Sequence, residues 1–437
     1  MNELVVTAAG NLWEEWPALS DEERLQRFRQ LSDDERDEFF ESLDPREQVH
    51  LVLALPPGER RLWMRLLAPD DAVDVVQEAP PEDRAGLMEL LDDTTRAEVR
   101  ALLAYNEDDA GGLMSPRFAR VRPDVTIDEA IRYLRKQAAH VETIYYAYVL
   151  DEQQHLHGVI SFRDIFQAPS DKLVRDVMHT DLITVPEDLD QEAVARLYVE
   201  TDLLAIPVVD AAGRMKGIIT YDDIADVVRE EATEDIQKVG GTEALEMPYL
   251  STKLLTLVRK RAGWLAALFI GETLTATAMA HYEGEIAAAT VLALFLPLII
   301  SSGGNSGSQA TTLVIRAMAL GELKLRDWVR VLRREIMAGF LLGAVLAVIG
   351  FCRIVLWQSV KPIYGPHYLY VAATVCFSLV GVVLWGSLIG AMLPFFFRRL
   401  GFDPASASAP FVATMVDVTG LVIYFSVAGF VLRGVML

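Results

Sequence analysis

The chain has 437 residues, with 62 Asp+Glu against 40 Lys+Arg, a formal net charge of −22 and a hydrophobic content of 52%. The charge is unevenly placed: residues 251–437 carry 15 Lys+Arg and 8 Asp+Glu, leaving 25 and 54 for residues 1–250, or net +7 against −29. So acidic a first half repels phosphate backbones, which argues against nucleic acid as a partner and for cations, and the two cysteines, Cys352 and Cys376, can build neither a disulfide framework nor a zinc site.

No basic stretch followed by an apolar core appears after Met1, so no secretory signal is expected. Across residues 19–102, Leu19, Leu31, Leu43, Leu55, Leu67, Ala79 and Leu91 recur every 12 residues. Most are followed by cap or first-turn chemistry: Ser20-Asp21, Ser32-Asp33, Asp44-Pro45, Pro56-Pro57, Pro80-Pro81, Asp92-Asp93. Such residues start helices, so each unit reads as one helix of about 8–9 residues. Helices that short cannot bury a face alone, and stacking gives an α-helical solenoid, assigned to residues 1–113. It reads either as a structural or partner-binding domain or as a mobile acidic regulatory one.

Residues 114–228 hold a duplication. Val149-Leu150-Asp151, then Gly158-Val-Ile-Ser-Phe-Arg-Asp-Ile165, matches Val209-Asp210, then Gly217-Ile-Ile-Thr-Tyr-Asp-Asp-Ile224, with an offset of 59. Each copy reads strand–helix–strand–turn–strand–helix. These residues resemble tandem CBS domains, an α+β regulatory module that often binds nucleotides or ions. His155 and His157, at alternate strand positions, read as surface residues.

Further on, Asp223, Asp226, Glu230 and Glu234 follow one another at spacings of 3, 4 and 4, one face of a helix, with Glu231, Glu234 and Asp235 as a second cluster. A solvated acidic face is one reading; the position just before the membrane half favours a divalent cation as neutralising partner. Residues 229–258 are assigned as a connecting helix.

From residue 259 on, five apolar segments can be drawn, at about 260–281, 286–316, 336–358, 368–397 and 408–432, each able to cross a core about 30 Å thick as a helix. The second is expected to be broken by Pro297 and by Ser301–Ser308. Lys253, Arg259, Lys260 and Arg261 precede the first segment, Lys324, Arg326, Arg330, Arg333 and Arg334 fall between the second and third, and Arg398 and Arg399 follow the fourth. By the positive-inside rule this alternation places the acidic head in the cytoplasm and the C-terminus outside a multi-pass inner-membrane protein.

Asp417 sits in the middle of the fifth segment with no basic residue nearby. Burying an unpaired carboxylate in lipid is costly, so it points to a wet cation path, with a neutral, helix-bonding Asp as the alternative. Glu272 is a weaker second candidate. In Gly303-Gly-Asn-Ser-Gly-Ser-Gln309 the glycines permit close helix approach or non-helical backbone, and Asn305 and Gln309, four apart, either face an ion or form a polar seam between helices. One carboxylate with amide and backbone oxygens suits a hydrated Mg²⁺, whereas Ca²⁺ recruits more carboxylates and transition metals want His or Cys. No nucleotide-hydrolysing motif is visible, and the chain does not read as an enzyme.

In this order the parts resemble the MgtE family of bacterial magnesium transporters or channels over essentially the whole chain. Glu231-Ala-Thr-Glu-Asp-Ile236, Gly303-Gly-Asn-x-Gly-x-Gln309 and Pro410-Phe-Val-Ala-Thr-x-x-Asp-Val-Thr-Gly420 carry the resemblance. It implies a homodimer with a pore on its axis, lined by the second and fifth membrane helices, and an acidic head that compacts at high cytosolic Mg²⁺ to close the pore through a connecting "plug" helix. Asp417 then resembles the selectivity carboxylate, supported by the carbonyl of Ala413 and by Asn305. The segment from about Glu231 to Leu257 resembles the plug. Asp190, Glu192, Asp202, Asp223, Asp226, Glu231, Glu234, Asp235 and Asp403 are similar to the family's cytosolic Mg²⁺ ligands. ATP at the CBS pair is a further candidate ligand. One departure is Ala409, where some relatives carry Asn at the pore mouth.

Two other readings stay open on the residues alone. A proton- or Na⁺-coupled transporter of Mg²⁺ or Co²⁺ would use Asp417 and Glu272 as a relay. A non-transporting membrane sensor would read a nucleotide through the CBS pair, but leaves Asp417 without a role.

Overall fold

A computed structural model describes residues 12–13, 15–201, 203–245, 249–250, 252–288 and 290–433. The chain forms two compact units that divide between Val228 and Arg229.

The first unit begins with seven helices of 8 to 10 residues: α1 (Asp21–Phe28), α2 (Asp33–Glu41), α3 (Pro45–Ala54), α4 (Pro57–Leu66), α5 (Pro69–Glu78), α6 (Pro81–Leu90) and α7 (Asp93–Leu102). The caps act as the sequence suggests. Ser20 with Glu23 and Ser32 with Glu35 form capping boxes, the Asp44 carboxylate accepts from the Arg46 N–H, and that of Asp92 accepts from Thr94 and Thr95. Leu31, Leu43, Leu55, Leu67, Ala79 and Leu91 are buried, so the 12-residue period is the spacing at which each helix returns an apolar residue to one continuous core.

Two three-stranded sheets follow. β1 (Arg120–Val121), α8 (Ile127–Gln137), β2 (Tyr146–Leu150), β3 (Leu156–Ser161) and α9 (Phe162–Gln167) make the first copy. β4 (Val185–Pro186), α10 (Gln191–Thr201), β5 (Ala205–Val209), β6 (Met215–Thr220) and α11 (Tyr221–Val239) make the second. The hairpin registers repeat: Tyr146 faces Ser161 and Val149 faces Gly158, as Ala205 faces Thr220 and Val208 faces Gly217. The two hairpin turns bond to each other, Met215 N–H donating to the Gln154 carbonyl at 2.9 Å and Leu156 N–H to that of Gly213 at 3.3 Å.

Among the described residues of the second unit, five helices are long and apolar enough to cross a membrane. They are α12 (Leu254–His281), α13 (Leu296–Ala319), led in by a 3₁₀ stretch over Thr290–Phe295, α14 (Trp328–Val360), α15 (Tyr368–Arg399) and α16 (Ala409–Leu432). α15 is the central helix, packed against α13, α14 and α16, while α12 lies on α16 and buries no residue within the chain.

Two expectations need correction. The connecting helix does not run over 229–258. α11 is continuous from Tyr221, ends at Val239, and is followed by Gly240 and by Gly241 at φ +76°, a left-handed conformation that suits glycine; α12 starts only at Leu254. Nor is α13 broken at Ser301–Ser308. Pro297 sits in its first turn, where the missing N–H has no helical partner to lose, and the glycines continue the helix because they are where α13 meets its neighbours.

Candidate functional site

α13 and α15 cross at glycines. A Cβ at Gly386 or Gly390 would collide with the carbonyl oxygens of Gly303 and Gly307, and one at Gly307 would lie 2.9 Å from the Gly386 oxygen and 2.7 Å from Val412 Cγ1 of α16. Close approach lets hydroxyls bond across the seam: the Ser306 and Ser387 Oγ atoms are 2.7 Å apart, and Thr311 donates to the Gly390 carbonyl at 2.7 Å. The polar seam and the close helix approach therefore both exist, built by Ser306, Thr311 and the glycines. Asn305 and Gln309 point elsewhere and are exposed.

Asn305 faces a cleft of about 700 Å³, open along one side, between α12, α13 and α16. Thr275 and Met279 line it from α12, Ser301, Gly304, Asn305 and Ser308 from α13, and Ala413, Asp417 and Leu421 from α16. The last three recur every fourth residue, one stripe of the helix. Asp417, half-buried, stands eight residues into α16, about 12 Å along its axis. Three expected pore residues, Asp417, Ala413 and Asn305, thus share one wall-to-wall space. Ala413 lies inside a continuous helix, so its carbonyl is committed to the helix ladder and has only a second lone pair for an ion or its water. Ala409, the position of departure, opens α16, where its carbonyl accepts from Ser308 at 3.3 Å.

The regulatory candidates fall in separate places. At the start of α10 the Asp190 carboxylate accepts from the Glu192 N–H at 3.0 Å, and Glu192 pairs with Arg196 at 2.9 Å. Asp202 lies outside the described residues. Asp223, near the start of α11, accepts from the Thr220 N–H at 2.9 Å and hydroxyl at 2.8 Å, with Asp226 one turn on. Facing Asp223 across the first unit is α5 of the solenoid, with Asp70, Asp71 and Asp74. Asp70 is 7% exposed and its Oδ1 has no hydrogen-bond partner. Burial first, then repulsion from Asp223, Glu142 and Asp71, holds its carboxyl well above the usual range. Burial and neighbouring carboxylates also push Asp74 and Asp223 up, and Asp71 to about 7. Asp71 and Asp74 stay open to water on one side, which moderates the push.

Sequence reasoning missed the α5 carboxylates. The available signal was a helix, Pro69–Glu78, with four acidic and no basic residues. Among the described residues no three carboxylate, imidazole or thiol groups converge into a ready-made metal cage.

At the end of α11, Glu231, Glu234 and Asp235 share the last turns with Lys238. The Lys238 ammonium pairs with Glu234 one turn back and with Asp403 Oδ2 at 2.7 Å. Burial opposes its charge, but the bonds to Asp403 and Glu234 outweigh it and hold the ammonium above its ordinary range. Of the α11 carboxylates, Glu234 is thus brought to Asp403 through a shared lysine. His155 Nδ1 and His157 Nε2, both on exposed side chains, lie 3.0 and 3.2 Å from Asp151 Oδ2.

Among the described residues, a membrane unit of five long apolar helices with the half-buried carboxylate of Asp417 in its cleft, following an acidic head with a duplicated α+β module, has the parts of a cation transport protein. Residues 296–427 match the MgtE divalent cation transporter family, residues 9–108 the MgtE intracellular N domain, and residues 110–171 and 174–230 the CBS domain. The chain is similar to the magnesium transporter MgtE of Thermus thermophilus, 41% identical over 423 residues, covering 96% of this chain and 92% of that one. It is also similar to that of Enterococcus faecalis, 34% identical over 336 residues, 77% and 72% of the two chains. A crystal structure of the cytosolic domain of the Mg²⁺ channel MgtE in complex with ATP is 40% identical, with a TM-score of 0.48, covering 50% of this chain and 90% of that one. The chain belongs to the MgtE family of magnesium transporters, multi-pass membrane proteins with intracellular N and CBS domains, and is not an enzyme.

Proposed function

We propose that the protein is a Mg²⁺-selective influx channel whose conduction path runs along the cleft between α13 and α16. Asp417 is its selectivity carboxylate, with Asn305 and the Ala413 carbonyl contacting the ion's hydration shell. The convergence of these three residues on one cleft is the observation that carries this reading. A cleft open along one side suits completion by a second copy, so the working pore is that of a homodimer, with the C-terminus outside.

Gating follows from charge. Asp70, Asp71, Asp74 and Asp223 repel one another and resist compaction of the head unless a cation intervenes. Cytosolic Mg²⁺ binding there, at Asp190, Glu192, Asp202 and Asp226, and at Glu231, Glu234, Asp235 and Asp403, stabilises a compact, closed state. Closure requires only that Mg²⁺ bind that state more tightly than the open one. ATP is a second ligand of the CBS pair.

The test is Mg²⁺ influx into liposomes holding wild type or Asp417→Ala, both shown to be folded. Even at the dielectric of bulk water, a carboxylate about 5 Å from a dication contributes about 1.7 kcal/mol, so loss of roughly tenfold or more in flux is expected. Equal flux in both would remove Asp417 from the path, and flux in neither would sink the channel reading.

A further inference from the structure

The α11 end of the second unit is tied to the start of α16 by a cation belonging to the protein itself. Lys238 sits between Glu234 and Asp403, 2.7 Å from Asp403 Oδ2. Asp403 is not a loose partner: its other oxygen accepts from the Ala405 N–H at 2.8 Å and caps the turn leading into α16. Around this bond the same two segments are packed tightly. A Cβ at Gly241 would lie 2.9 Å from the Trp264 ring and 3.2 Å from Pro410 Cγ. Trp264 Nε1 donates at 3.1 Å to Ser408 Oγ, which in turn caps α16.

We infer that Lys238 is a positioning residue, a tethered cation that bridges the Glu234–Asp403 pair in the closed state when divalent ions are scarce and yields that pair to Mg²⁺ when they are abundant. This rests on the gating reading above and names the regulation of that same site. An ammonium and a dication cannot both be centred between two carboxylates, so the two bridges exclude one another. Lys238 then gives the closed state a fixed bias that needs no metal, and the ion adds to closure by replacing it. In the ion-free protein the bias is independent of concentration; with Mg²⁺ it grows with concentration, as required of a ligand that prefers one state.

The consequence has a definite sign. Without the lysine, the closed state loses its metal-free bridge but keeps the site for Mg²⁺. Lys238→Met should therefore conduct more than wild type at the lowest internal Mg²⁺, need about threefold or more Mg²⁺ for half-inhibition, and still close to the wild-type level at saturation. Rescue by Mg²⁺ separates a bridging role from a folding defect, which the ion would not repair. Lys238→Arg keeps the charge and should behave as wild type, and it also checks that the position tolerates substitution.

The measurement is flux through full-length protein in liposomes against internal Mg²⁺ for wild type, Lys238→Met and Lys238→Arg. If wild type is inhibited by Mg²⁺ while Lys238→Met matches it or is inhibited at lower Mg²⁺, the latch is wrong and the gating reading stands. If Lys238→Met stays open at saturating Mg²⁺, the lysine is structural and the proposal falls. If wild type shows no Mg²⁺ inhibition, the gating reading fails and the latch with it.

Discussion

Substituting Gly307 by alanine tests whether the glycine crossing sets the shape of the conduction cleft. The new Cβ would lie 2.7 Å from Val412 Cγ1 and 2.9 Å from the Gly386 carbonyl oxygen. Methyl carbons rest about 3.5 Å or more apart, so α13 must withdraw from α16 by roughly 0.8 Å. The contact with the Gly386 oxygen pushes α13 away from α15 as well, and a shift of that size would stretch the Ser306–Ser387 and Thr311–Gly390 bonds, each 2.7 Å, to about 3.5 Å, the edge of useful range. Overpacking costs about 1–3 kcal/mol, and each lost interhelical bond about 0.6 kcal/mol. Better helix propensity of alanine returns about 0.5–1 kcal/mol, leaving a net loss of about 1–4 kcal/mol. Gly429→Ala, where nothing lies within 4 Å of the new Cβ, supplies the propensity gain alone. Unfolding in mild detergent should rank Gly429→Ala at or above wild type and Gly307→Ala below both, with reduced Mg²⁺ flux because Asn305 and Ser308 move with α13. Gly307→Ala as stable as Gly429→Ala, with normal flux, would refute the reasoning.

Two further predictions concern the head. Burial and the nearby carboxylates of Glu142 and Asp222 push Asp71 up from the ordinary carboxylate range to about 7, so its protonated form is favoured by the compact head; the compact state is fully favoured at acid pH and loses that support as pH rises toward and through 7. Metal-free protein should be more resistant to proteolysis between solenoid and CBS pair at pH 6 than at pH 8, and saturating Mg²⁺ should remove the difference; equal resistance without metal would count against a carboxylate-driven opening. Arg117 grips the solenoid from the CBS side, its Nη2 2.8 Å from Glu98 and 2.7 Å from Thr95 Oγ1, with side chains less than a third exposed. Arg117→Ala should weaken that contact by about 1–2 kcal/mol, raising proteolysis at low Mg²⁺ with little effect at high Mg²⁺.

Local chemistry made much of this structure legible. The 12-residue period and its caps marked the solenoid, because a cap acts within three residues of itself. The offset of 59 marked the CBS pair, since duplicated hairpins keep their register. Asp417 stood out because lipid has no water to solvate a carboxylate. What escaped depends on contacts between distant residues. The α5 carboxylates gain meaning only opposite Asp223, some 150 positions on, and no rule of periodicity joins them. Serine and glycine at Ser301–Ser308 read as a break, since isolated propensity disfavours helix there; packing against Gly386 and Gly390 overrides it. Lys238 carries no signal of its own in the sequence, because its partner Asp403 lies 165 positions on.

The head contains two kinds of carboxylate, and under the proposed gating they would respond differently to an ion. Asp210 is held by Arg214 at 2.8 Å and Lys216 at 3.5 Å, and Glu98 by Arg117. These acids carry permanent counter-charges of the chain, so neither fold nor contact there gains much from added Mg²⁺. At the equivalent positions of the first repeat the cations are replaced by His155 and His157 around Asp151. Asp70, Asp71, Asp74 and Asp223 instead face one another across the join between solenoid and CBS pair, where repulsion opposes compaction directly. A cation bound there relieves the repulsion over a short distance, which screening by monovalent salt does poorly at the few ångströms involved. Among the described carboxylates of the head, these four are thus the ones whose mutual repulsion a cation would relieve most directly under the proposed gating.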